Sequence, residues 1–181
     1  MPSRAFGPQN PRDLLSIATY ELQKLEAAIG GSFGSEDEAA MEVGSRARAC
    51  ASTLWHMVDW LAHATDPRTK AALSSAGLND YKQIRDHVKA SSDLTLCWEL
   101  INSIKHFELT GYSRLVSQIS GAVLSVPSSR PPSVPAPTKA SAKEYQFVPK
   151  VKTDSGENLP AVEVFRRALT FWQGFFHRHG L

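Results

Sequence analysis

The stretch "LWHMVDWLAH", Leu54–His63, alternates aliphatic and aromatic residues with two histidines and an aspartate. Its spacing is helical and not strand-like. At about 100° per residue, Ala47, Ala51, Leu54, Val58 and Leu61 fall on one arc. Ser45, Ser52, His56, Asp59 and His63 fall almost opposite, within roughly 60° of one another. Trp55 and Trp60 stand on the two flanks, so a helix built this way is covered on more than one side. "SEDE", Ser35–Glu38, is a capping box, which predicts a helix from Glu36 to about Ala64 that stops before Asp66-Pro67.

The same logic extends outward in both directions. Arg12–Ile29 carries Leu14, Leu15, Ala18, Leu22, Leu25 and Ile29 at helical spacing behind Asn10-Pro11, a cap followed by proline at the first helical position. "GGSFGS" then separates two helices. It is no phosphate-binding loop, because no Gly-Lys-Ser/Thr follows it and no strand precedes it. After a short linking stretch, Asn79–Ala90 places Tyr81, Ile84 and Val88 on one side. "SSD", Ser91–Asp93, caps a further helix running to about Phe107. Its apolar arc holds Leu94, Leu96, Cys97, Leu100, Ile101, Ile104 and Phe107. Beyond Gly111 the character changes. "SQISGAVLSV" and "KEYQFVPKVKT" have strand-like composition, "DSGE" reads as a turn, and "PSSRPPSVPAPTKAS" is a Pro/Ser-rich loop at about 127–143. The closing "AVEVFRRALTFWQGFFHRHG" is strongly amphipathic, with Val162, Phe165, Ala168, Leu169, Trp172, Phe175 and Phe176 forming a face for the core or a dimer surface.

The expected architecture is therefore all-α: one domain over residues 1–181, four or five helices in a bundle, and a small β-hairpin or irregular excursion before the last helix. A chain of 181 residues with 42% hydrophobic and 21% charged residues has material for one such core. A net charge of +2 spread over dispersed Lys and Arg argues only weakly for nucleic acid. Cys50 and Cys97 form no CxxC pair and sit in apolar helical patterns, which argues against a disulfide framework or structural zinc. The opening "MPSRAFGPQN" lacks the apolar core of a signal peptide, and no apolar run approaches a membrane span. The expectation is a cytoplasmic protein without a membrane partner.

Polar side chains form two columns. One is His56, Asp59 and His63; the other is Thr95, Glu99, Asn102 and His106, opposite the apolar arc of the fourth helix. If the two columns face each other, they bring together His56, Asp59, His63, Glu99, Asn102 and His106. Three readings stand. A metal site needs Asp59 with His63 or His56, since the two histidines are two turns apart, roughly 10 Å, too far to chelate one ion. General acid/base chemistry needs a histidine oriented by a carboxylate, here His106 with Glu99 or Asp59, and Lys105 is a cationic neighbour suited to phosphate. Otherwise the columns are solvated or structurally bonded faces. His87 lies with Lys82, Arg85 and Lys89 on what reads as a solvated face. His177 and His179 suit the end of the last helix. Basic residues interleaved with aromatics are absent from the linear sequence. No cofactor motif is present.

"WELINSIKHFEL", Trp98–Leu109, together with "WHMVDW", Trp55–Trp60, resembles the HEPN superfamily and a group of short bacterial helical proteins of the mobile gene-cassette type. The likeness covers about residues 36–109. It implies an α-helical bundle, commonly a homodimer, in toxin–antitoxin, phage-defence or mobile-element settings, often a metal-independent ribonuclease. The superfamily's signature is an Arg, an adjacent polar residue, and a His four to six residues beyond the Arg. His106 matches the histidine and Asn102 can stand as a displaced polar partner. Glu99, Leu100 and Ile101 occupy the places where the arginine belongs, so the group that would hold a scissile phosphate is missing. The resemblance thus points first to a HEPN-like module binding a protein partner or RNA, and second to a hydrolase or ribonuclease using His106 with Glu99 or Asp59. A metal-dependent variant of the second uses Asp59 and His63.

Overall fold

The computed structural model describes residues 10–109, 119–126, 144–153 and 156–181, with 103–109 and 119–126 described by their backbone path. In chain order the elements are α1 (Pro11–Ile29), α2 (Glu36–Ala62), α3 (Pro67–Ser75), α4 (Tyr81–Lys89), α5 (Ser92–Leu109), β1 (Ile119–Val126), β2 (Glu144–Lys152), β3 (Asn158–Pro160) and α6 (Ala161–His179). The protein is mostly helical, with a small antiparallel sheet before the last helix. The Pro/Ser-rich loop expected at 127–143 lies outside the described residues.

Most helix starts follow from side-chain caps. The Asn10 side chain accepts from the N–H groups of Arg12 and Asp13 at 2.9 and 3.1 Å, and Asp13 returns the bond by accepting from the Asn10 N–H. Ser35 accepts from the Glu38 N–H at 3.1 Å, while the Glu38 carboxylate reaches one residue further back than expected, to the Gly34 N–H. Asp80 caps α4 through the Gln83 N–H, and Gln83 accepts from the Asn79 N–H in exchange. Each such bond satisfies a donor that the first helical turn leaves orphaned.

The described residues form six helices against the four or five expected. The stretch read as a simple link contains α3, because Asp66-Pro67 is a start as well as a stop. The Asp66 side chain accepts from the Thr69 N–H at 2.8 Å, and Pro67 occupies the first turn, where its missing N–H costs nothing. The Thr69 bonds hold the Asp66 carboxyl below its ordinary pKa. Leu73 and Leu78 anchor the segment to the core, and Gly77 at φ +73 lets the chain double back so that the Leu78 N–H donates to the Leu73 carbonyl.

The sheet has the order β1-β2-β3. β1 pairs with β2 from Ile119↔Val151 to Val126↔Glu144, the hairpin expected from the two strand-like runs. A third strand was not foreseen. Between Thr153 and Glu157 the chain returns on the other side of β2, with the Thr153 N–H donating to the Glu157 carbonyl and Gly156 at φ +83. β3 then pairs Val151 with Leu159 before α6 begins. A backbone bridge between Phe33 and Tyr145 ties the α1–α2 loop to the same strand.

Helix α2 lies at the centre, packed by α1, α4, α5, α6 and β2. Its buried residues include Ala47, Cys50, Ala51, Leu54, Trp55, Met57, Val58 and Leu61. This set is wider than one arc, so α2 is enclosed on more than one side, as its flanking tryptophans predict. The Trp172 indole N–H of α6 donates to the Leu54 carbonyl at 2.9 Å in the buried interior. Phe165, Trp172, Phe175 and Phe176 fill the space between α6 and α2. No helix among the described residues is long and apolar enough to cross a membrane.

Candidate functional site

The two polar columns do not meet through any described contact. On α2, His56 is exposed and its Nδ1 lies 3.2 Å from the Ser52 hydroxyl, one turn back on the same helix. His63 ends α2 and is exposed. Its Nδ1 lies 2.7 Å from the Asp59 backbone carbonyl, which can only accept, so Nδ1 carries the proton and donates. The Asp59 carboxylate turns to Tyr81 of α4, whose phenol is pushed above its ordinary pKa by burial and then by the Asp59 charge. The metal reading loses its geometry here, since Asp59 and His63 direct their polar atoms to different partners. Among the described residues no group of three His, Cys, Asp or Glu side chains is arranged to hold an ion.

Glu99 and Asn102 are half-buried on α5. Glu99 lines a groove of about 590 Å³ with Lys89, Asp93, Thr95, Glu157 and Arg167. There Arg167 grips Asp93 in a forked pair, with contacts of 2.8 to 3.1 Å. The groove thus joins α5 to α4, α6 and the β2–β3 turn, and α2 contributes nothing to its lining. The side chains of Lys105 and His106 lie outside the described residues.

A different face gathers what the linear sequence lacks. Along α4, Lys82, Arg85 and Lys89 recur at helical spacing, with His87 between them. Aromatic rings reach this stripe from elsewhere in the chain. The Lys89 ammonium sits 3.6 Å from the centroid of Trp98, on α5, and Trp98 packs in turn against Trp55 at 6.1 Å. Arg85 lies over Tyr81 at 5.8 Å. His87 packs on Phe171 and Phe175 of α6, and His179 packs on the same Phe175 ring at 4.6 Å between centroids. Asp86 pairs with Lys82 at 2.9 Å and Arg85 at 3.3 Å, and these cations hold its carboxyl below its ordinary pKa. The basic stripe was legible as 82, 85 and 89. The Trp98 ring over which Lys89 sits was not, because it comes from α5, and neither was the packing of His87 on Phe171 of α6.

The two cysteines are free and buried. Burial, with smaller contributions from Glu21 and Glu26, pushes the Cys50 thiol up to about 12. Burial also drives Cys97 well above its ordinary value. Thiols so desolvated are poor nucleophiles and poor metal ligands.

A face of cations laid over aromatic rings can neutralise phosphates and stack planar groups, whereas in the α2 column His56 and His63 are exposed and Asp59 turns to Tyr81, and the Glu99 groove holds an ion pair. Comparison with family models, curated proteins and solved structures gives no match to this chain.

Proposed function

We propose that the chain is a HEPN-like helical bundle that recognises RNA and does not cleave it. The carrying observation is the α4 face, where Lys89 over Trp98 and Arg85 over Tyr81 pair a phosphate-seeking cation with a ring. Single-stranded nucleic acids are held in this way, by cations along the backbone and by base–aromatic stacking, with little demand for base sequence. Recognition without cleavage is supported by the missing arginine before His106 and by the engagement of Asp59 with Tyr81. The bacterial defence or mobile-element setting and the cytoplasm are the surroundings this reading implies.

The test is binding of a mixed-sequence single-stranded RNA by fluorescence anisotropy over a range of salt, with the same RNA assayed for cleavage. Affinity is expected to fall with salt. Arg85→Ala with Lys89→Ala should weaken binding about tenfold or more, equivalent to about 1.4 kcal/mol, and lower the salt slope by about 1.4, at 0.7 per cation for single strands. RNA bound but uncut supports the reading. Cleavage that survives EDTA and is lost in His106→Ala would replace it with the ribonuclease alternative, and cleavage abolished by EDTA would turn attention to Asp59 and His63. No binding even at low salt would sink it.

A second reading, a protein partner or a second copy of the chain, is favoured by apolar side chains left on the surface. Tyr20 is 56% and Met41 73% exposed, on α1 and α2. Sedimentation at several concentrations measures this directly: a mass twice that of the chain supports the homodimer.

A further inference from the structure

We propose that His87, Arg178 and His179, where α4 meets the end of α6, form a site for a phosphate group that takes up a proton when it is filled. The site deepens the RNA reading by naming a phosphate position next to the α4 face, and rests on that reading only for the identity of the phosphate's carrier.

Two imidazoles from different helices meet on one ring. His87 and His179 lie 5.7 and 4.6 Å from Phe175 between centroids. Arg178 is beside them and packs back over the open Cα of Gly174, where an added Cβ would lie 3.3 Å from its guanidinium. The carbonyl end of α6, which would repel an anion, is already occupied: Arg68 of α3 donates to the Gly180 carbonyl at 2.8 Å.

The basic groups here lack an acidic partner among the described residues: no carboxylate pairs with Arg68, His87, Arg178 or His179. Of the acids nearest in sequence, Asp86 is held by Lys82 and Arg85, and Asp66 caps α3. On α2, Asp59 turns to Tyr81. Besides Arg68 and Asp86, the other charged side chains of α3 and α4 are Lys70, Lys82, Arg85 and Lys89, none of them acidic, and the one acid of α6, Glu163, stands more than four turns before His179. Burial, then Arg178 and then His87, disfavour the charged form of His179. A phosphate oxygen reverses this balance, because it accepts N–H bonds from imidazolium and guanidinium alike and stabilises their charge. Binding therefore carries protons onto the imidazoles, and affinity rises as pH falls through the histidine range.

The experiment follows the histidine ring resonances of the full chain by NMR, titrating pH with inorganic phosphate and, separately, with chloride at equal ionic strength. Phosphate is expected to shift the His87 and His179 rings together and to raise the His179 midpoint by about one pH unit, with roughly fourfold tighter binding at pH 6 than at pH 7.5. His87→Gln should remove most of the effect at His179. His177→Asn, on the exposed side of α6, should leave it intact and serves as the control. Rings that move equally in chloride, or a His179 response that is unchanged in His87→Gln, would overturn the site. A parallel arm uses single-stranded RNA. RNA binding that tightens towards pH 6 and loses this dependence in His87→Gln identifies an RNA phosphate as the occupant. A phosphate response without any RNA binding keeps the site and removes the RNA reading.

Discussion

Trp172→Ala is expected to lower the free energy of unfolding by about 4 kcal/mol, within the usual 3–5 kcal/mol for deleting a buried tryptophan. Trp172 has no solvent exposure. It packs edge-on against Phe171 and Phe175, with centroids 5.5 and 5.6 Å away, and meets Phe176 at 5.8 Å. Alanine would leave a cavity walled by rings from one rigid helix, which cannot collapse to fill it. The indole N–H bond to Leu54 adds a smaller part, since that carbonyl keeps its place within α2 after the indole is gone. Trp172→Phe separates the two contributions: most of the ring contact stays and the bond goes, for a cost of about 1–2 kcal/mol. Urea denaturation measures both. A loss below about 1.5 kcal/mol for the alanine variant would mean that α6 is not seated on α2 in the way described.

Alkaline pH should destabilise the protein through Cys50. Its thiol has an ordinary value near 9.0 and is pushed up to about 12 in the folded protein. A raised folded value means that the unfolded chain loses the thiol proton first. Stability from this group is complete below about pH 9 and falls as pH rises towards 12, by about 1.4 kcal/mol per unit and about 4 kcal/mol in all. Cys97 adds to the same trend. Denaturation of the wild type and of Cys50→Ala, under reducing conditions from pH 8 to 10.5, isolates the contribution, because lysine and tyrosine titrations are common to both. The wild type should show the steeper decline. Equal slopes would mean that the thiol is not desolvated. At neutral pH both thiols should resist a disulfide reagent until urea unfolds the chain.

How much could be read from residues alone differs by element. The starts of α1, α2 and α4 follow from local chemistry, since a cap and the donors it satisfies lie within three or four residues of each other. The apolar period identified the buried arc of α2, and Trp55 and Trp60 on its flanks announced burial on more than one side. Helix α3 escaped notice because Asp66-Pro67 ends one helix and opens another, and the same two residues serve both roles. β3 escaped because three residues carry too little alternation to register. Its place is set by the Gly156 turn and by pairing with Lys150–Lys152.

The candidate sites divide along the same line. The columns of α2 and α5 are stripes in the sequence, and a stripe carries no statement about what lies opposite. Asp59 turned to Tyr81 and Glu99 to the Asp93–Arg167 groove. The basic stripe 82, 85 and 89 was visible as spacing. Its partner Trp98 was not, because it comes from α5, nor were Phe171 and Phe175, which reach His87 from α6. Local periodicity and capping, which act over one or two helical turns, were enough to determine that this chain is mostly helical and where most of its helices begin. Which polar group meets which ring, acid or cation depended on how the helices cross around α2. That is decided by long-range packing of the core, and packing leaves little trace in the spacing of residues along any one helix.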